Sequence, residues 1–89
     1  MNFNDKFNIV FDELSEYLDG KDPLLLKEDM LQLQYERYII DVGFYQNEFV
    51  LYIIEDNDWD SPYLRNEIDD LIHLIPEIEN ACKIVLSLH

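Results

Sequence analysis

Apolar residues step along this chain with two different periods, and the change of period divides it. Phe3, Phe7, Val10, Phe11, Leu14, Tyr17 and Leu18 recur at intervals of three and four. That spacing places them on one side of a helix. Asp5, Asp12, Glu13, Glu16 and Asp19 fall on the other side. Asn2 or Asn4 supplies an N-cap, and Gly20 stands where a left-handed C-cap is wanted. The pattern predicts an N-terminal amphipathic helix. Asp22 followed by Pro23 is a second helix-start signal, enough for one short turn over residues 24–29.

The period then falls to two. Leu31, Leu33 and Tyr35 alternate with Gln32 and Gln34. Tyr38, Ile40 and Val42 alternate with Arg37, Ile39 and Asp41, and Phe49, Leu51 and Ile53 with Val50, Tyr52 and Ile54. Three strands in an antiparallel meander are expected. The last two are joined through residues 43–47, with Gly43 and Asn47 as turn residues. The third is apolar on both faces, which predicts a central or doubly covered strand. Ser61-Pro62 breaks the chain and leads into a helix. Ile68, Leu71, Ile72, Ile75, Ile78, Cys82 and Val85 keep helical spacing, with Pro76 inside the run. Proline removes a backbone donor, so a kink or split at Pro76 is expected. Residues 83–88 fit either the helix end or a fourth strand. The expected fold is α+β: an N-terminal helix, a sheet of three or four antiparallel strands, and a C-terminal helix kinked or split at Pro76. Residues 1–89 make a single domain.

Charge changes the picture. Twenty acidic residues against six basic ones give a formal net charge of −14. Each half of the chain carries ten of the acids, so the acidity covers the whole domain. Such a field repels nucleic acid and anionic membranes, excluding both as direct partners, and speeds encounter with a basic protein. A 48% apolar share with five Phe, six Tyr and one Trp is too high for a disordered chain. One cysteine, Cys82, forms no internal disulfide and reads as a small core residue. The polar opening residues lack the pattern of a secretory signal, and the longest apolar run, residues 49–54, is too short to span a bilayer. A cytoplasmic protein is expected.

Residues 55–67, EDNDWDSPYLRNE, raise the question of a metal. Asp56, Asp58, Asp60 and Glu67 take positions 1, 3, 5 and 12 of a calcium loop. Position 6, where the loop turns sharply, is Ser61 rather than glycine, and Pro62 restricts it further. The calcium reading is the alternative, not the first choice. The chain contains no phosphate-binding glycine loop, GxSxG or HExxH pattern, and its two histidines have no spaced metal-ligating companions. No catalytic constellation or cofactor is expected.

The same acids have another use. Asp56, Asp58 and Asp60 flank Trp59, an aromatic anchor ringed by carboxylates, which suits a basic protein surface. Tyr45 and Glu48, at what reads as a neighbouring turn, extend the patch, and Asp41 lies in the strand before it. The expected partner-binding set is Asp41, Tyr45, Glu48, Asp56, Asp58, Trp59 and Asp60.

YIIDVGFY, residues 38–45, followed by FVLYIIEDNDWDSP, residues 49–62, resembles the core of small bacterial immunity proteins of contact-dependent inhibition and related polymorphic toxin systems. Asp41, Val42, Gly43, Phe44 and Tyr45 match a hydrophobic-Asp-Val-Gly-aromatic strand end. Asp58, Trp59 and Pro62 match an Asp-Trp-x-x-Pro loop. The resemblance covers about a quarter of the chain. It implies a cytosolic antidote without catalytic turnover, which binds one cognate basic toxin domain, usually a nuclease, and blocks it. An inhibitor that mimics nucleic acid to block a host defence enzyme is the further alternative.

Overall fold

The structure, a computed structural model, describes residues 5–88. It is α+β, built on a five-stranded antiparallel sheet. The strands are β1 (Asn8–Asp12), β2 (Leu31–Tyr35), β3 (Tyr38–Tyr45), β4 (Glu48–Glu55) and β5 (Leu64–Ile68), in spatial order β1-β2-β3-β4-β5. Helix α1 (Leu14–Gly20) follows β1, and helix α2 (Leu74–Leu88) closes the chain.

Strand alternation decides what the core contains. Leu31 and Leu33 of β2, Tyr38, Ile40 and Val42 of β3, and Phe49, Leu51 and Ile53 of β4 all point to one face. Helix α2 lays Leu74, Ile78, Ala81, Cys82 and Val85 on that face, a stripe at three- and four-residue spacing. From α1, Leu14 enters the same core, and the Tyr17 ring meets Phe49 at 6.0 Å. Full burial of a Val, Leu or Ile contributes about 1.5–3 kcal/mol. The ion pairs Lys27–Glu13, Arg37–Glu55 and Arg65–Glu67 are exposed, and such pairs contribute about 0.2–1 kcal/mol. Burial of the stripe therefore dominates. Cys82 is buried in it, as expected.

The expected N-terminal helix is half replaced by strand. Asn8–Asp12 pairs with β2 through a bulge between Ile9 and Phe11. The bulge breaks the alternation that would have marked a strand and leaves a spacing that imitates a helix. Asp12 ends the strand and caps the next turn, accepting from the Ser15 N–H at 2.9 Å. Both Glu13 and Leu14 donate to the Met30 carbonyl, at 2.8 and 2.9 Å, which ties the helix start to the sheet. The left-handed C-cap is Lys21 at φ 53°, not Gly20. Phe3 and the proposed caps Asn2 and Asn4 lie outside the described residues. The short turn after Asp22 is a 3₁₀ turn over Pro23–Leu25, with the Leu24 N–H bonded to the Asp22 carboxylate at 3.0 Å.

The C-terminal half departs from expectation twice. Pro62 leads into β5, which takes Ile68 away from the helical run. A 3₁₀ turn over Leu71–His73, capped by Asp70, then precedes α2. Pro76 is the third residue of α2, within the first turn, where backbone N–H groups have no intrahelical acceptor. Neither kink nor split follows, and α2 runs unbroken through Leu88. Residues 83–88 are therefore helical, and the extra strands come from β1 and β5.

The β3–β4 turn is tighter than residues 43–47. It consists of Gln46 and Asn47 at φ 49° and 70°, the positive angles of a type I′ hairpin. Gly43 lies within β3. A Cβ there would overlap the Glu28 carbonyl oxygen and approach the Tyr45 ring at 2.6 Å. Close backbone approach, rather than a turn, requires this glycine.

Candidate functional site

Two acidic, aromatic surfaces arise from this fold. The first is the β4–β5 loop. After Glu55 the chain turns through Asp56 and Asn57 at φ 55° and 60°. Asp56 N–H donates to the Arg37 carbonyl at 2.9 Å, Asp58 N–H to Glu55 at 3.1 Å, and Trp59 N–H to Asn57 at 3.1 Å. These bonds hold a compact projection on which Asp56, Asp58, Trp59 and Asp60 are all exposed. Trp59 keeps 47% of its surface open to solvent. Beneath the loop, Arg37 is engaged by Glu55 at 3.2 Å and by the Tyr38 hydroxyl at 3.3 Å, with its guanidinium 5.3 Å from the Tyr38 ring centre. Among the described residues the three ion pairs engage Glu13, Glu55 and Glu67, leaving the loop aspartates outside them.

The second surface lies on the sheet face opposite the helices. Alternation sends Gln32, Ile39, Asp41, Val50, Tyr52, Ile54, Arg65 and Glu67 to that face; Ile39, Asp41, Val50 and Ile54 are buried there, and Gln32, Tyr52, Arg65 and Glu67 supply its accessible part. Asp41 sits between Gln32 and Tyr52 and is only 4% exposed. Burial pushes its carboxyl above the ordinary value, against the lowering effect of the Gln32 hydrogen bond, while Asp29 raises it further. Burial also raises the Tyr45 phenol, with the negative charges of Asp41 and Asp29 adding to it. At the rim, Glu48 stands beside Glu67, which raises the Glu48 carboxyl first by hydrogen bonding and then by charge. Glu67 is held low by Arg65, which donates to it at 2.8 Å.

The structure therefore divides the expected set. Tyr45 and Glu48 lie at the hairpin end of β4; Asp56, Asp58, Trp59 and Asp60 lie at its other end. Seven residue steps of strand separate Glu48 from Glu55, about 23 Å. The turn carrying Tyr45 and Glu48 is not a neighbour of the Trp59 loop, because an antiparallel hairpin sends successive turns to opposite ends of the sheet. Asp41 lies between the two, buried, and its carboxylate is engaged by Gln32.

The calcium geometry does not assemble. Glu67 pairs with Val50, five steps along β4 from Glu55, about 17 Å from the loop's start. Strand β5 carries the twelfth-position acid away from Asp56, Asp58 and Asp60. No group of three or more His, Cys, Asp or Glu side chains among the described residues is gathered to hold a metal ion.

Sequence reasoning missed Tyr52, Arg65 and Glu67 as members of the second surface. The readable signal was the alternation in LRNEI, where Arg65 and Glu67 share a face two residues apart. No helix among the described residues is long and apolar enough to cross a membrane. Comparison of the chain with protein-family models, with curated proteins and with solved structures gives no match.

Proposed function

We propose that this chain is an immunity protein: an antidote that binds a cognate basic toxin domain, a nuclease by the resemblance noted above, and blocks it without chemistry of its own. The observation that carries this reading is the half-exposed Trp59 on a hydrogen-bonded loop between exposed Asp56, Asp58 and Asp60. Leaving a large indole in water is unfavourable, whereas a partner that covers it gains apolar burial. Carboxylates around it select Arg and Lys, and a net charge of −14 steers such a partner from a distance. The loop's backbone bonds fix the main chain that carries the indole, which limits the backbone entropy lost on binding.

The test is to sequence the genes on either side of this one and to assay neutralisation of any basic toxin domain that they encode. The parent protein should abolish toxin activity in a stoichiometric titration, and Trp59→Ala should release the toxin at least tenfold faster. A neighbouring toxin left fully active, or a Trp59→Ala protein that protects and dissociates like the parent, would sink the reading.

A further inference from the structure

The hairpin end of the helix-free sheet face contains a depression of about 370 Å³, lined by Tyr45, Glu48, Val50, Tyr52, Arg65 and Glu67. It already shows how a guanidinium is held. Arg65 donates from Nε to the Tyr52 hydroxyl at 3.4 Å and from a terminal nitrogen to Glu67 at 2.8 Å, its charge lying 5.9 Å from the Tyr52 ring centre. One cation thus serves a site with two adjacent carboxylates. Glu67 takes Arg65 as its ion-pair partner, while Glu48 forms no ion pair among the described residues: its hydrogen bond with Glu67 and that group's charge raise its carboxyl, and the Arg65 charge only partly offsets this. The buried Val50 and the ring of Tyr45 also line it. Neither helix covers this face, since α1 and α2 both pack on the other one.

We propose that this depression takes an arginine side chain of the basic partner, which seats between Glu48 and Tyr45 and supplies the second cation. This rests on the reading that the partner is basic, but it adds a contact about 23 Å from the Trp59 loop. The occupant follows from charge complementarity. A planar guanidinium stacks on tyrosine and bonds a carboxylate with two parallel donors, which an ammonium cannot do. Together the two surfaces would engage a partner along the length of β4.

An NMR titration with the capped peptide Gly-Arg-Gly-Arg at low salt, and with its lysine counterpart, tests the inference. Shifts should concentrate at Tyr45, Glu48, Val50, Tyr52 and Glu67, with arginine binding tighter than lysine. Glu48→Gln should weaken that binding about two- to fivefold, the range of one exposed charge pair. Arg65→Ala frees Glu67 and should strengthen binding at this face more than Lys83→Ala, which makes the same charge change on α2. Equal effects of Arg65→Ala and Lys83→Ala would overturn the proposal, as would shifts spread evenly over the acidic surface. Shifts confined to Asp56, Asp58, Trp59 and Asp60 would overturn it too, yet leave the Trp59 loop as the binding surface. Shifts at the depression with none at the loop would support it and count against that loop.

Discussion

The Gln32 amide donates to the Asp41 carboxylate at 3.1 Å, across the register that pairs these two residues on β2 and β3. Asp41 is the one buried acidic residue among those described. Its carboxyl is raised above 3.8, chiefly by burial, so the folded protein holds this proton more tightly than the unfolded chain. The stability it contributes is full below the unfolded value and is lost as pH rises through the folded one. At neutral pH the ionised carboxylate is therefore a liability that the Gln32 bond only partly offsets. Asp41→Asn keeps an oxygen for Gln32 and removes the charge. It should melt above the parent at pH 7, with the gap closing as pH falls to 3. Equal melting temperatures at pH 7 would show that the carboxylate is not disfavoured there.

Gly43 and Gly20 make a matched pair. A methyl group on Gly43 meets the Glu28 carbonyl, which is backbone and moves only with the whole segment. Gly43→Ala should cost about 1–3 kcal/mol, the range of overpacking. Gly20 has nothing within 4 Å of its would-be Cβ, and its φ is not positive. Gly20→Ala should be neutral or stabilise by up to about 1 kcal/mol, through lost freedom of the unfolded chain. Urea unfolding of the two variants checks both signs at once.

Pro76 separates two accounts of α2. A proline in a helix interior costs about 3 kcal/mol or more, so its removal would then stabilise strongly. In the first turn no intrahelical bond is missing, and Pro76→Ala should change the unfolding free energy by about 0.5 kcal/mol or less. A larger gain in chemical denaturation would restore the kinked helix expected from sequence.

These cases show where the chain was readable. Strands β2, β3 and β4 were: β2 alternates apolar with polar residues, whereas β3 and β4 are largely apolar runs buried on both faces. The acidic surface around Trp59 was also readable, since charge and a lone indole are compositional facts. Strand β1 was hidden by its bulge, which converts period two into steps that suit a helix. Strand β5 was hidden for a different reason. It has two apolar residues, Leu64 and Ile68, and Ile68 also falls in helical register with Leu71 and Ile72. The structure leaves Ile72 73% exposed, so that register was accidental. Missing β5 concealed Arg65 and Glu67, and with them the second surface. The separation of Tyr45 from Trp59 was implicit in the expected meander, whose successive turns lie at opposite ends of the strand between them, so grouping the two in one patch went against that topology.

The core gives a magnitude against which surface changes can be measured. Leu51 lies on β4, fully buried under α2, with Val42 opposite it on β3. Leu51→Ala should cost about 2–5 kcal/mol, the transfer loss plus the cavity left behind. Trp59→Ala, at a half-exposed loop position, should cost about 1 kcal/mol or less. Thermal unfolding of both variants would rank them. A Trp59 variant as unstable as the Leu51 one would make the indole a core plug rather than a contact.

The loop aspartates should act on a different rate from the indole. Exposed charges govern the long-range attraction that precedes contact, whereas a covered aromatic governs how slowly contact is lost. Asp56→Lys with Asp58→Lys should slow association with a basic partner by roughly tenfold or more at low salt. Dissociation should change much less. Raising the salt to about 0.5 M contracts the screening length to a few ångströms, so the difference in association rate should shrink towards the parent value. Stopped-flow association at several ionic strengths provides the measurement. An association rate that ignores both the charge reversal and the salt would mean that the negative field around Trp59 plays no part in capture.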